Sequence, residues 1–353
     1  MSLIATYLDD INAEYPSNLD RDELRVTEDG LLTAVLAMTT SMNSIVSPNV
    51  RSLAEDARNQ GRELDIPVRK KGNVTINNVR SCTIGGGQSE TDNVRVVWKT
   101  VSADILMVPA QYAKNQIGYI SDLAQKISEM VEAFKVEIEN DLDTLMDANK
   151  SQVYNSTIVG TEYPLVGDAL QVTTAQMDFF FGDISPINMA DDFTQRVNKV
   201  IASHAVMRYV ERYINQGGGN ATNTNYQFAG KDYSFSNRVT NGAGKNATGY
   251  WMPDGSLGLL TRTDIDSAMG HTAGDGSEWS VESLPGMPFQ VGVLYKSQCS
   301  DQSALETAGL EHLTATKIEH FQFSFDYATV APYNSDIATN PSSIRKFEVI
   351  PTP

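Results

Sequence analysis

Two cysteines, Cys82 and Cys299, are too few for a disulfide framework in a chain of 353 residues. Neither stands in a setting that would lower its pKa and mark it as a nucleophile, so both read as small packing residues of a reducing compartment. Basic residues are short as well: 27 Lys and Arg face 44 Asp and Glu, a formal charge of −17, which argues against a nucleic-acid or anionic-membrane surface as the chain's main business. Long apolar runs are missing. The longest, Leu31 to Met38, falls far short of the roughly 20 residues that cross a bilayer. Residues 1 to 10 lack the basic start and apolar run of a signal peptide, so the expectation is a soluble protein with no membrane partner.

Catalytic patterns are also scarce. His204, His271, His312 and His320 form no H-E-x-x-H and have no nearby cysteine pair. His204 is expected near the apolar face of a helix as a hydrogen-bonded core residue, and His320 on the polar face of a strand. Gly242-Ala243-Gly244-Lys245 resembles a phosphate loop, but Val239 stands where the first glycine belongs and Asn246 where a magnesium-binding hydroxyl belongs. Gly85-Gly86-Gly87 lies between strand-like runs and reads as a turn. Asp264-Ile265-Asp266 begins like a calcium loop, yet Met269 and Asp275 occupy the positions that need Gly and Glu. No G-x-S-x-G is present, and the abundance of acids makes any single carboxylate pair uninformative. A non-enzymatic protein without cofactor or metal is the expectation.

What the chain does have is enough apolar material to fold: 41% hydrophobic residues, with 14 Tyr, 12 Phe and 3 Trp. Residues 1 to 61 read as an arm with short helices, one carrying Leu31, Leu32, Val35, Leu36 and Met38, a second opened by Ser47-Pro48. Strand-like runs follow at Glu63 to Arg69, Val74 to Ile84 and Val94 to Leu106, and predict a long hairpin with no obvious core of its own. From Asn115 to Asn149, Ile120, Leu123, Ile127, Met130, Phe134, Ile138, Leu142 and Leu145 recur every three or four residues, which predicts a helical spine of about 50 Å. Its other face carries Asp122, Glu129, Glu132, Glu137, Glu139, Asp143 and Asp147 and should be solvated or inward-facing. Val172 to Gly182 carries Met177, Phe179 and Phe181, and a second helix is expected from Asp191 to the stop at Gly217-Gly218-Gly219, with Phe193, Val197, Ile201 and Ala205 on one face. Residues 220 to 286 are rich in Asn, Gly and Thr and read as long loops with turns at Asp254-Gly255 and Asp275-Gly276. Alternation returns at Phe289 to Tyr295 and at Phe321 to Tyr327, and a last strand runs from Ile344 to Ile350.

This order, with Leu64-Asp65-Ile66-Pro67-Val68 entering the hairpin, the acidic spine, Pro288-Phe289-Gln290-Val291-Gly292 and Phe321 to Tyr327 before the tail, resembles the tailed-bacteriophage major capsid proteins of the Hong Kong 97 type. The resemblance implies an α+β fold: an N-terminal arm (1–61), an extended hairpin loop (62–105), a peripheral domain with the spine helix (106–160 and 315–353) and an axial domain (161–314). It further implies a chain that self-assembles through pentamers and hexamers into an icosahedral shell around double-stranded DNA. A portal and a separate scaffolding protein are the implied partners, because hairpin sequence begins by residue 62. Packaged DNA would be held only by weak non-specific contact, in keeping with an acidic chain. The implied location is the virion, after assembly in the host cytoplasm. Subunit-interface candidates are Arg69, Lys70, Lys71 and Gln88 on the hairpin, Glu129 and Glu132 on the spine, and Asn241 and Lys245 in the axial segment. The alternatives are another virion protein (tail, baseplate or adhesin) and a glycan-acting hydrolase with acids near Trp251 or Trp279.

Overall fold

The computed structural model describes residues 30–61, 63–69, 91–114, 118–151, 163–190, 198–216, 227–228, 231–274, 276–300, 316–334 and 342–351. The described residues open with α1 (Gly30–Thr40) and α2 (Pro48–Glu55). The start of α2 is fixed as its sequence suggests: Ser47 accepts from the Val50 amide at 3.4 Å and Pro48 fills the first turn. Next come β1 (Asp65–Arg69), β2 (Thr91–Arg95) and β3 (Lys99–Met107). The expected run from Val94 to Leu106 is therefore two strands, because Val96 to Trp98 leave the ladder and carry the chain from a two-stranded ribbon with β1 into a different sheet. The hairpin's middle run, Val74 to Ile84, lies outside the described residues.

The spine, α3, runs from Tyr119 to Asn149, 31 residues and about 46 Å at 1.5 Å each. Leu123, Ile127, Met130, Phe134, Ile138, Leu142 and Met146 form its buried stripe, which packs on α1 and on a sheet built around β13 (Thr316–Val330). Within that core Phe134 meets Phe325 edge-on at 5.2 Å. On one edge β13 pairs with β3; on the other it pairs with β10 (Gly258–Arg262) and β12 (Val291–Ser300), and β11 (Glu278–Glu282) completes a five-stranded sheet. Phe321, Phe323, Phe325 and Tyr327 are buried and His320, Gln322 and Ser324 are partly exposed between them, the alternation expected of a strand with one face on the core.

A second, seven-stranded sheet has the order β4-β5-β14-β9-β6-β8-β7. Its strands are β4 (Leu165–Val166), β5 (Ala169–Thr173), β6 (Asn198–Ser203), β7 (Gln227–Phe228), β8 (Lys231–Ser236), β9 (Ala247–Pro253) and β14 (Arg345–Ile350). The helices α4 (Met177–Ala190) and α5 (His204–Gln216) cover it, and the short α6 (Ile265–Met269) lies by the other sheet. Its core is aromatic: Phe180 touches Tyr163, Trp251 and Phe347 at ring distances of 5.3, 5.9 and 4.9 Å. Phe347 lies over Gly249 on the facing strand, where a Cβ would come within 2.4 Å of its ring.

Three expectations are corrected. The helix expected from Asp191 begins only at His204; residues 198–203 are a strand between β9 and β8, and residues 191–197 lie outside the described set. Val200, Ile201 and Ala202 are all buried, and an apolar run covered on both faces has no period that separates strand from helix. Consequently His204 is not a core residue but the exposed first residue of α5. The stretch 220 to 286, expected as long loops, contains the strands β8 to β11, held by buried Tyr233, Phe235, Tyr250, Trp251 and Met252. Their turns do match, since Gly255 and Gly276 take φ of +84° and +82°. The final strand pairs within the seven-stranded sheet, and β10 to β12 pair in the spine's sheet.

Candidate functional site

The base of the hairpin is the best-defined part of the candidate assembly surface. A two-stranded ribbon is marginal in water, and β1 and β2 pair with no third strand among the described residues. What holds the base is a small core of its own: Ile66 and Val96 from the hairpin and Val46 and Ala54 from the arm pack on Leu260, Ala328 and Val330. The Val96 amide also donates to the Leu64 carbonyl at 2.8 Å, which fixes the exit from the ribbon. The hairpin thus has a core at its base, contrary to the expectation that it lacked one.

Beneath that core lies a buried polar cluster. Arg262 donates from Nε to Asp326 at 3.0 Å, both side chains being under 10% exposed, and its guanidinium stacks 3.9 Å from the centre of the Trp98 ring. Thr100 donates its hydroxyl to the other Asp326 oxygen at 2.6 Å. Trp98 stands where the chain passes from hairpin to sheet, so this cluster anchors the hairpin's point of departure. Sequence reasoning missed the cluster, because Arg262 and Asp326 are 64 positions apart and only the β10–β13 register brings them opposite.

The acidic spine divides into three kinds of site. Glu129 is exposed. Glu139 is fully buried, accepting from the Leu32 amide of α1 at 3.0 Å and from Ser236 at 3.3 Å, so one carboxylate ties the spine to the arm and to β8. The remainder are engaged inside the chain: Lys99 bridges Glu137 and Asp141 at 2.6 and 2.9 Å, and Asp147 receives Lys150 and Lys346, each at 2.9 Å. A uniform acidic face is therefore not what the spine presents.

Burial alone would raise the Asp147 carboxyl, but Lys346 and Lys150 together outweigh it and hold it at about 2. In the same way burial is overcome at Glu348 by Gln171 and Lys346, and at Glu319 by Lys317, Tyr119 and Tyr295, so both lie below the ordinary carboxylate range. A carboxyl depressed on folding stabilises the folded chain above its unfolded pKa of about 4, and that stability is lost as pH falls through the folded value. The melting temperature should therefore fall steeply between about pH 4.5 and pH 2. An Asp147→Asn chain should melt lower than the parent at pH 6 and decline less on acidification; parallel melting curves by calorimetry would exclude the Asp147 contribution.

The eight interface candidates are not brought together. Lys70, Lys71 and Gln88 lie outside the described residues, and Arg69 is described as backbone at the end of β1. Glu129 is exposed and accepts from Gln125 at 3.3 Å, and Glu132 is partly buried two residues before Phe134. Asn241 is exposed beside the turn Gly242 to Lys245, which links β8 to β9. Lys245 is half-buried, bonded to Gln171 and 3.4 Å from Glu348, so it closes this turn onto the sheet instead of binding phosphate. Asp264 caps α6 by accepting from the Ser267 amide at 2.8 Å, which is the local role of the calcium-like stretch. His271 stacks on Trp279 at 4.4 Å, and His320 lies 3.4 Å from Asp104. Among the described residues no three His, Cys, Asp or Glu side chains are grouped to hold a metal ion, and no helix is long and apolar enough to cross a membrane.

No family model matches the chain, and no curated protein matches it. Solved structures do. A capsid structure of the cyanophage P-SCSP1u is similar at 9% identity and a TM-score of 0.46, covering 82% of this chain and 83% of that one. A structure from Mycobacterium phage Bobi is similar at 12% identity and a TM-score of 0.44, over 95% and 94% of the two chains. The capsid of Ralstonia phage GP4 is similar at 7% identity and a TM-score of 0.43, over 82% and 83%.

Proposed function

We propose that this chain is a tailed-bacteriophage major capsid protein of the Hong Kong 97 type, which assembles through pentamers and hexamers into an icosahedral shell around double-stranded DNA. The observation that carries the proposal is the way the arm and hairpin are built. Both are fastened to the five-stranded sheet by a small shared core and the Trp98–Arg262–Asp326 cluster, while the ribbon itself has no third strand among the described residues. Such an element gains its missing surface from a neighbouring subunit. The 31-residue spine supplies a rigid span for that arrangement.

In this proposal residues 106–160 and 315–353, with the spine, are the peripheral domain and residues 161–314 the axial domain. Arg69, Lys70, Lys71 and Gln88 of one subunit approach Glu129 and Glu132 of the next, with Asn241 and Lys245 at contacts between axial domains. A separate scaffolding protein and a portal complete the assembly in the host cytoplasm. The excess of acid over base, a net charge of −17, keeps contact with packaged DNA weak.

Negative-stain electron microscopy with mass photometry on the purified chain, with and without crowding agent, tests the proposal. Closed shells or rings of five and six are expected; a persistent monomer of 38.6 kDa would reject it. Reversing Lys70 and Lys71 to Glu should slow assembly and blunt its acceleration at low salt.

A further inference from the structure

An amine, a carboxamide and a carboxylate from three different elements meet on the seven-stranded sheet. Gln171 of β5 and Glu348 of β14 are register partners on neighbouring parallel strands, so their side chains share a face. Lys245 reaches them from the turn before β9, on the other side of β14. Its amide closes that turn on the Gly242 carbonyl at 3.0 Å, and Gly242 makes room for its stem: a Cβ there would come within 3.1 Å of both Lys245 Cγ and Glu348 Oε1. Lys245 donates from Nζ to Gln171 Oε1, and Gln171 donates from Nε2 to Glu348 Oε2 at 2.8 Å. That same carboxylate oxygen lies 3.4 Å from Lys245 Nζ. Gln171 is 3% exposed, which keeps water from its carboxamide.

An amine held against a carboxamide is a nucleophile beside an acyl group, and one reaction between them needs no third molecule: transfer of the acyl group from ammonia to lysine. Two proton movements limit it. Only the free amine attacks, and the amide nitrogen leaves only after gaining a proton. Glu348 Oε2 touches both nitrogens. Burial raises the Glu348 carboxyl, but Gln171 and Lys346 outweigh it and hold it below the ordinary carboxylate range, so it stands ionised and ready to accept. Lys346 occupies the other oxygen, Oε1, at 3.3 Å and leaves Oε2 to the pair. Attack requires Nζ to rise from the plane of the carboxamide onto Cδ, a movement that the flexible four-carbon stem allows. Groups kept in contact in this way react with effective molarities of up to about 10⁵–10⁸ M when well oriented.

We infer that Lys245 and Gln171 join in an isopeptide bond within the chain, formed by the chain itself with Glu348 as the catalytic residue. Glu348 takes a proton from Nζ, the freed electron pair of Nζ forms the bond to Cδ, and the Cδ–Nε2 bond breaks with its pair passing to nitrogen. Nζ gives up two protons in all: Glu348 carries one to Nε2 so that ammonia departs, and the second ends on that ammonia as ammonium. Nothing else is consumed. The product ties the turn to β5 across β14 and closes a covalent loop between positions 74 apart, constraining the unfolded chain as a disulfide does. It is a property of the single chain and stands apart from the assembly proposal.

The test is mass spectrometry on the full purified chain during storage at about pH 6 and about pH 9, the second supplying more free amine. A species lighter by one ammonia should accumulate, faster at the higher pH. Trypsin should then release residues 151–196 joined to residues 239–262, the second uncut after Lys245. Lys245→Arg keeps the positive charge but supplies no attacking amine, so it should stay at full mass. Glu348→Gln, checked for folding by circular dichroism, should bond about a hundredfold or more slowly. A parent that keeps its full mass at both pH values would overturn the inference, as would a joined peptide that persists in Lys245→Arg. Conversion of Gln171 to Glu without a joined peptide would overturn it too, by showing that water and not lysine takes the acyl group. A folded Glu348→Gln chain that bonds at the parent's rate would remove Glu348 from the reaction.

Discussion

An Arg262→Met chain is expected to lose about 3–5 kcal/mol in a urea titration, because the substitution leaves Asp326 charged and buried without its partner. The guanidinium is doubly committed, to Asp326 at 3.0 Å and to the Trp98 ring at 3.9 Å, so both the ion pair and the cation–π contact go together. Thr100 remains as a donor to Asp326, but a neutral hydroxyl does not offset a buried carboxylate. The loss should be local as well as global. Amide exchange should rise first in β1 and β2, because Trp98 marks the point where the ribbon leaves the sheet. Replacing the pair together, Arg262→Met with Asp326→Leu, removes the stranded charge and should recover much of the stability. A single variant within about 1 kcal/mol of the parent, or a double variant no better than the single, would show that the cluster is not the anchor.

The spine was legible because its period holds over many turns. Leu123 to Met146 repeat a pattern that only a helix places on one face, and the structure returns it starting four residues later than expected. The strand at Phe321 to Tyr327 was legible for the same reason with a period of two. Residues 198–203 were not, since Val200, Ile201 and Ala202 are covered on both sides and carry no period at all. Glycine and asparagine between Gln227 and Glu282 mark real turns, but they obscured the short buried strands between those turns. The polar cluster at the hairpin base could not be read in advance, because Trp98, Arg262 and Asp326 meet only through the pairing of β13 with both β10 and β3. Charge patterning misled in a related way. Glu139 belongs by period to an acidic face, yet its place beside the α1 amide of Leu32 makes it a buried acceptor.

Two adjacent phenylalanines should respond in opposite ways to the same substitution. Phe180 is fully buried among Tyr163, Phe181, Trp251 and Phe347, with ring distances from 4.9 to 6.0 Å, so Phe180→Ala should cost about 3–5 kcal/mol through lost transfer energy and the cavity left behind. Collapse into that cavity is hindered on two sides. Trp251 is held by its indole N–H on Asn188 at 3.0 Å, and Phe347 is already pressed against Gly249. Because Phe347 belongs to β14 and Trp251 to β9, the loss should propagate to the centre of the seven-stranded sheet and appear as a lower midpoint and a changed Trp fluorescence transition. Phe179, one residue earlier, points outward from the same helix, so Phe179→Ala should leave the monomer within about 0.5 kcal/mol of the parent. Equal stability losses from the two alanines would mean that Phe179 is packed within its own chain; a large loss at Phe180 alone separates the face of α4 that builds the core from the face that does not.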